Sequence, residues 1–164
     1  MRTTIAALAL VVTATGCTAD PPKAPPRAAV AAQAEPGRSP LALLHAWDRR
    51  RAAAWAAGDA NALRSLYVEG AAAGARDLAM LRSWSERGLT VAPLEVQVLA
   101  GRVVARGRGR VTFVVTERLA RAEARAGSDT WPLPRGQAVT RRVTLWRVGG
   151  RWRVVSVVAR QDPR

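Results

Sequence analysis

Hydrophobic residues change their spacing about halfway along the chain. Over residues 40–88 they recur every three or four positions, which places them on one side of a helix, and Gly58, Gly70 and Gly88 interrupt the series. Ser39 stands directly before a proline, and this pair is typical of a helix N-cap followed by a first turn. The pattern therefore predicts three consecutive amphipathic helices.

Two details of these helices bear on candidate sites. In the first helix, Leu44 and Trp47 mark the apolar face, and we expect Asp48 to point away from it. The second helix is expected to be capped by Asp59 or Asn61 and to continue to the next glycine.

After the helices the hydrophobic period becomes two, and β-branched residues are frequent, which is typical of strands. The segment Ala105–Arg110 is the predicted turn of a first hairpin, and the residues around Trp131 are predicted to form a loop. Three helices followed by a curved antiparallel sheet make an α+β fold. The predicted strands are Leu94–Ala105, Arg110–Leu119, Ala138–Val148 and Arg151–Ala159.

The pair Gly149–Gly150 stands between the last two predicted strands. Both glycines can take positive φ in a two-residue type I′ turn, so the sequence predicts a tight hairpin. The register of such a turn places Leu145 opposite Val154, with Val143 on the same face and Val157 on the other.

The first 17 residues have the layout of an export signal. A positive Arg2 is followed by the apolar run Ile5–Val12 and by small residues that lead to Cys17. The apolar run is much shorter than the ~20 residues that span a bilayer as a helix. We therefore predict that residues 1–17 form a signal peptide and not a permanent membrane anchor.

The end of this signal, Ala14-Thr15-Gly16-Cys17, resembles the lipobox of bacterial lipoproteins. The resemblance implies that Cys17 is the lipidation site and that the protein is anchored in the cell membrane at its extracytoplasmic face, where two acyl chains hold it stably. The alternative is an ordinary secretory signal with a chance cysteine near its cleavage site.

The segment that follows, residues 18–38, is rich in proline and alanine without a periodic apolar pattern. Such a sequence buries too little surface to fold and behaves as an extended spacer. We interpret it as a tether. Residues 39–164 are then one domain of ordinary size.

Basic residues outnumber acidic ones by 26 to 12, a formal net charge of +14, and Lys23 is the one lysine. A basic field concentrates anionic partners. The arginines, however, are spread through the predicted helices and strands, so a solvated basic surface is the simpler interpretation. An exported protein meets little nucleic acid, and we expect no nucleic-acid partner; lipid headgroups or wall polymers remain as the polyanion alternative.

Two segments resemble the nuclear transport factor 2-like domains. Ala46–Tyr67, with its Trp-bearing helix and Gly-Asp break, is similar to the opening helices of that family, and Thr144–Val157 is similar to its final hairpin. The resemblance implies a cone of helices and bent sheet around a pocket, and a homodimer formed through the sheets. It does not fix function, because the family includes both enzymes and binding domains.

Candidate catalytic residues are few. His45 is the one histidine, Asp48 follows it at a spacing that shares a helix side, and Tyr67 is the one tyrosine. The sequence contains no P-loop, nucleophile elbow or cluster of metal ligands, so we expect no cofactor and no metal. An isomerase or cyclase built on these three residues is the enzymatic alternative.

Large aromatic side chains are the candidates for a pocket wall. They are Trp47, Tyr67, Trp84 and Phe113, and an apolar pocket with arginines at its opening suits an apolar or acidic small ligand. We therefore expect a lipid-anchored, non-enzymatic domain that binds such a ligand or another envelope protein. The enzyme and the polyanion-binding protein are the alternatives.

Overall fold

Three helices open the part of the chain that the computed structural model describes, residues 40–160. The prediction of three consecutive helices is confirmed, and Gly58 takes a positive φ of 64° after the first of them. The predicted signal peptide (1–17), the lipidation site Cys17 and the tether (18–38) lie outside the described residues. The helices are α1 (Pro40–Ala57), α2 (Ala60–Ser65) and α3 (Ala72–Ser85).

Five strands follow and form one sheet in which every pairing is antiparallel. Hydrogen bonds join four of them in the order β1-β2-β4-β5, and β3 pairs with β2. The predicted α+β fold, with three helices and a curved antiparallel sheet, is confirmed. The strands are β1 (Thr90–Gly107), β2 (Arg110–Ala126), β3 (Asp129–Pro132), β4 (Val139–Val148) and β5 (Arg151–Ala159).

The hairpin of β1 and β2 is longer than predicted. Its pairing continues to Gly107 and Arg110, so the turn consists of Arg108 and Gly109 in place of the whole predicted segment Ala105–Arg110. The register shifts at four points along this pair. Such bulges bend and twist a strand, which gives the sheet its curvature.

The residues around Trp131 form a strand instead of the predicted loop. Asp129 pairs with Ala126, and Gly127 takes a positive φ of 57° in the tight turn between them. Pro132 ends the strand, where its missing N–H removes no hydrogen bond that the sheet needs. The prediction of a loop was wrong because proline is infrequent in strands, although it is tolerated at the edge of a sheet.

The hairpin at Gly149–Gly150 has the predicted register close to the turn. Leu145 pairs with Val154, and both glycines have positive φ. One residue further from the turn the register shifts, and Val143 pairs with Val157. The prediction that Val157 faces away from Val143 was wrong, because the bulge turns Val157 to the same side of the sheet.

The second helix ends earlier than its sequence pattern predicts. Asp59 caps it by accepting two backbone N–H groups of the first turn, and the helix stops at Ser65. The Val68 N–H then donates to the Val154 carbonyl, and the Val154 N–H donates to the Leu66 carbonyl, both at 2.9 Å. Hydrogen bonds to the edge of the sheet replace further helical turns.

The hydrophobic core lies between the helices and one face of the sheet. Leu63 and Leu81 of the helices, and Phe113, Leu145 and Val154 of the strands, have no accessible surface. Among the described helices, none combines the length and the apolar character that a bilayer crossing requires.

Candidate functional site

The side of α1 that faces the interior contains both apolar and charged side chains. Leu44, Trp47, Asp48, Arg51 and Trp55 fall on this side because they follow the helical repeat. The two tryptophans and Leu44 are buried, and the two charged residues are partly buried. The prediction that Asp48 points away from this face was wrong, since the position after Trp47 belongs to the same stripe.

Asp77 of α3 accepts four hydrogen bonds in the interior. Arg51 donates through Nε to Oδ2 at 2.7 Å and through Nη2 to Oδ1 at 2.6 Å. The indole N–H of Trp55 donates to Oδ1 at 3.2 Å, and the Tyr67 hydroxyl donates to Oδ2 at 2.7 Å. The carboxylate therefore joins α1, α3 and the residues after α2, and its acceptor positions are occupied.

This network fixes the protonation of its members. Burial alone would lower the pKa of Arg51, but the hydrogen bond and the charge of Asp77 raise it above its ordinary value. Burial, and then the charge of Asp77, raise the pKa of Tyr67. Both groups are protonated at neutral pH and both donate to Asp77, so the Tyr67 hydroxyl is engaged within the protein.

A cavity of about 490 Å³, which we call the inner cavity, lies between α1, α3 and the sheet. A second cavity of about 380 Å³, the side cavity, shares part of its wall, including Arg51 and Glu117. Cavities of this size with apolar walls and a few polar groups are typical of small-molecule sites. The apolar wall of the inner cavity includes Leu44, Trp47, Val96, Val143 and Val157, and its polar wall includes Asp48, Arg51, Tyr67, Asp77, Glu117 and Arg141.

Asp48 is a buried polar group of this wall that has no partner among the described residues. Its carboxyl accepts no hydrogen bond from the described residues, and its Oδ2 is buried. Burial, and then the nearby charge of Glu117, raise the pKa of Asp48 from 3.8 to about 7, although Arg51 acts in the opposite direction. The group therefore changes its charge near neutral pH.

Glu117 of β2 and Arg141 of β4 form an ion pair on the opposite wall. Their Oε1 and Nη1 atoms are 3.3 Å apart. Burial raises the pKa of Glu117 above its ordinary value, while Arg141 and then Arg51 lower it. The arginine is thus engaged by a carboxyl of the protein.

The four predicted pocket residues have different positions. Trp47 and Tyr67 line the inner cavity with their rings edge to face at 5.5 Å, and the Trp47 indole N–H donates to the Leu66 carbonyl at 3.0 Å. Trp84 lines the side cavity. Phe113 is 0% exposed and packs in the hydrophobic core, so it has no surface to offer a ligand.

The three candidate catalytic residues do not form one site. Asp48 and Tyr67 both line the inner cavity. His45 is exposed and borders a depression of about 350 Å³ between α1 and β1, where Asp48 also contributes to the wall. The helical spacing correctly places His45 and Asp48 on neighbouring positions, but the histidine stands outside the inner cavity.

Sequence reasoning missed Arg51, Asp77, Glu117 and Arg141. For Arg51 a signal was present, because it stands four residues after Trp47 and four before Trp55. For the other three no local pattern separates them from the many charged residues of the surface. No group of three metal-ligating side chains occurs within residues 40–160.

Comparison with known proteins identifies the fold and leaves the function open. No protein-family model and no curated protein matches the chain. Among solved structures, Aln2 from a Streptomyces species is 19% identical, with a TM-score of 0.50, over 76% of this chain and 93% of that one. An NTF2-like protein with a cystatin-like fold from Novosphingobium aromaticivorans is 18% identical, with a TM-score of 0.44, over 73% and 79%.

A proposed dehydratase of the NTF2-like family from Streptomyces avermitilis is also similar, at 16% identity and a TM-score of 0.45, over 73% of this chain and 93% of that one. Two of these solved structures are described as NTF2-like proteins. At this level of identity the likeness concerns the fold. Because a shared fold does not determine function, the function is argued from the residues of the site.

Proposed function

We propose that this protein is a membrane-anchored lipoprotein whose domain binds a small, largely apolar molecule in the inner cavity at the extracytoplasmic face. The anchor is the lipid on Cys17, which the lipobox resemblance implies. The observation that supports ligand binding is the inner cavity of about 490 Å³.

The walls of the cavity favour binding of an apolar body. Trp47, Val143 and Val157 supply apolar surface that a ligand covers, and removing apolar surface from water contributes about 25 cal/mol per Å². The side chains of Arg51 and Tyr67 are held by Asp77, so the cavity is preorganised. A rigid wall lowers the entropic cost of binding.

The experiment uses two neighbouring positions of β5. Ala159 lines the inner cavity, and Val158 pairs with Arg142 on the other face of the same strand. The full chain, purified in detergent from its own host, is compared by native mass spectrometry as wild type, Ala159→Trp and Val158→Trp. We expect a retained small molecule in the wild type and in Val158→Trp, and its loss in Ala159→Trp because the indole occupies the cavity. Equal retention in all three proteins contradicts the proposal.

Proton transfer by Asp48 is a second candidate function. A carboxyl with a pKa of about 7 in an apolar cavity is suited to act as a general base or acid at neutral pH. The test is exchange of the α-protons of 2-tetralone in D2O, followed by NMR. The wild type is expected to accelerate the exchange and Asp48→Asn to lose the acceleration; a wild-type rate equal to that of buffer contradicts this function.

A further inference from the structure

We infer that the ligand of the inner cavity carries an amine and that the carboxylate of Asp48 binds its ammonium group. The inference rests on the proposed ligand-binding function and names the chemical class of the ligand. The supporting observation is which charged side chains of the cavity wall are paired with another group of the protein and which are not.

Two of the three arginines that line the inner cavity form ion pairs within the protein. Arg51 makes a two-point ion pair with Asp77, with bonds of 2.6 and 2.7 Å, and Arg141 lies 3.3 Å from a Glu117 oxygen. The Arg141 side chain is 43% exposed, so water screens its charge. At Arg51 an acidic ligand would have to displace the Asp77 carboxylate. Breaking a buried ion pair leaves an uncompensated charge, which is strongly unfavourable.

One buried carboxyl of this wall has no hydrogen-bond partner within residues 40–160. Asp48 accepts no hydrogen bond from the described residues, and its Oδ2 is buried. A buried carboxylate without a partner is unfavourable, and a charge-assisted hydrogen bond from a cationic donor relieves it.

The remaining charges near the cavity do not reverse this preference. Arg76 borders the inner cavity, but its side chain is exposed, so its charge is hydrated. The net charge of +14 arises from arginines spread over the whole chain. Beyond about 8 Å such charges are screened at physiological salt, whereas the contact with Asp48 is local.

The protonation of Asp48 gives the inference a pH signature. With a pKa of about 7, the carboxyl is neutral in acid and ionised above neutrality, and only the ionised form pairs with an ammonium group. The groups that line the inner cavity with Asp48 are engaged within the protein: Glu117, Arg51 and Arg141 are held in ion pairs, and Tyr67 donates to Asp77. The charged or titratable groups that border the depression on the other side of Asp48 are exposed to solvent: His45, Arg49 and Glu95. Affinity for an amine should therefore rise with pH through neutrality, while affinity for a neutral ligand should stay constant.

The test uses three probes with the same apolar body: 4-phenylbutylamine, 4-phenylbutan-1-ol and 4-phenylbutyrate. Their dissociation constants for the full chain in detergent are measured by tryptophan fluorescence, since Trp47 lines the inner cavity. We expect the amine to bind about tenfold more tightly than the carboxylate, as a hydrogen bond to a charged group is worth about that much. Asp48→Asn should remove the preference of the protein for the amine over the alcohol and the carboxylate.

The outcomes separate this inference from the proposed function. If the carboxylate binds as well as the amine, or if Asp48→Asn keeps the preference, the inference is overturned and the cavity remains a binding site. If none of the three probes binds, both are overturned. Should Asp48→Asn fold poorly, the pH dependence of the wild type decides: an amine affinity that is constant from acid to alkaline pH overturns the inference.

Discussion

Arg51 and Asp77 form a two-point ion pair, with Nε 2.7 Å from Oδ2 and Nη2 2.6 Å from Oδ1. The pair joins α1 to α3, and both side chains are largely removed from solvent, at 23% and 7% exposure. Trp55 and Tyr67 complete the hydrogen bonds of the carboxylate. The wall of the inner cavity therefore contains the carboxylate of Asp77, which is stabilised in the interior by the groups that donate to it.

Removing the charge of Asp77 should destabilise the fold. Asp77→Asn leaves the Arg51 guanidinium without its anion, and breaking a buried ion pair costs about 3–5 kcal/mol. Tyr67→Phe removes one hydrogen bond and should cost about 1 kcal/mol. Urea unfolding followed by circular dichroism measures both values. A loss for Asp77→Asn no larger than that for Tyr67→Phe would show that the ion pair is not essential.

Asp48 should make the stability of the protein fall with rising pH. Its pKa is about 7 in the folded chain and 3.8 in its ordinary state, so the folded protein holds this proton more tightly than the unfolded chain. The contribution of this group to the free energy of unfolding is therefore largest at low pH. It is lost as the pH rises from 3.8 to about 7. Asp48→Asn has no proton to lose and should not show the decline.

The size of this effect follows from the pKa difference. One unit corresponds to about 1.4 kcal/mol, and because Asp48 keeps some solvent contact we expect about 2 kcal/mol in total. The measurement is urea unfolding of the wild type and of Asp48→Asn at about pH 4 and about pH 8. Between these two pH values, the free energy of unfolding of the variant should increase relative to that of the wild type. Glu69→Gln, at an exposed position, is the control. Parallel pH profiles of wild type and Asp48→Asn would refute the prediction.

Gly74 is required for the close approach of α3 to Tyr67. A Cβ at this position would lie 2.7 Å from Cγ of Tyr67. Gly74→Ala should therefore destabilise the protein by about 1–3 kcal/mol, although alanine is the better helix former. Ser83→Ala, at an exposed position of the same helix, should be neutral or stabilising. A stabilised Gly74→Ala protein, measured by thermal unfolding, would mean that the contact relaxes at little cost.

The lipid anchor predicts where the protein is found in its host. We expect the wild-type chain in the membrane fraction, with the mass of a lipid on Cys17, because two acyl chains hold a protein at the bilayer. The Cys17→Ser protein should lack the added mass of the lipid and should keep its signal peptide. Membrane fractionation with intact-mass analysis tests both. A mature wild-type chain with an unmodified thiol would disprove the anchor.

Much of the fold was predictable because its signals are local. Helical spacing, the glycine breaks and the alternation of the strands predict the α+β fold, and the two glycines at 149–150 set the register of the last hairpin near its turn. Two of the wrong predictions share one cause. Val157 changed face at a bulge, and Val68 left the helical pattern to bond with Val154, because contacts between distant segments outweighed local preference.

The sequence by itself determined the period of each element, the turn residues and the position of Asp48 on α1. Tertiary structure decided what that carboxyl does. It brought Glu117 of β2 close enough to act on Asp48, and it engaged Arg51 with Asp77 of α3. Spacing along a chain fixes which residues share one face of one helix, whereas the charge of a buried group depends on the field of residues that only folding brings near it.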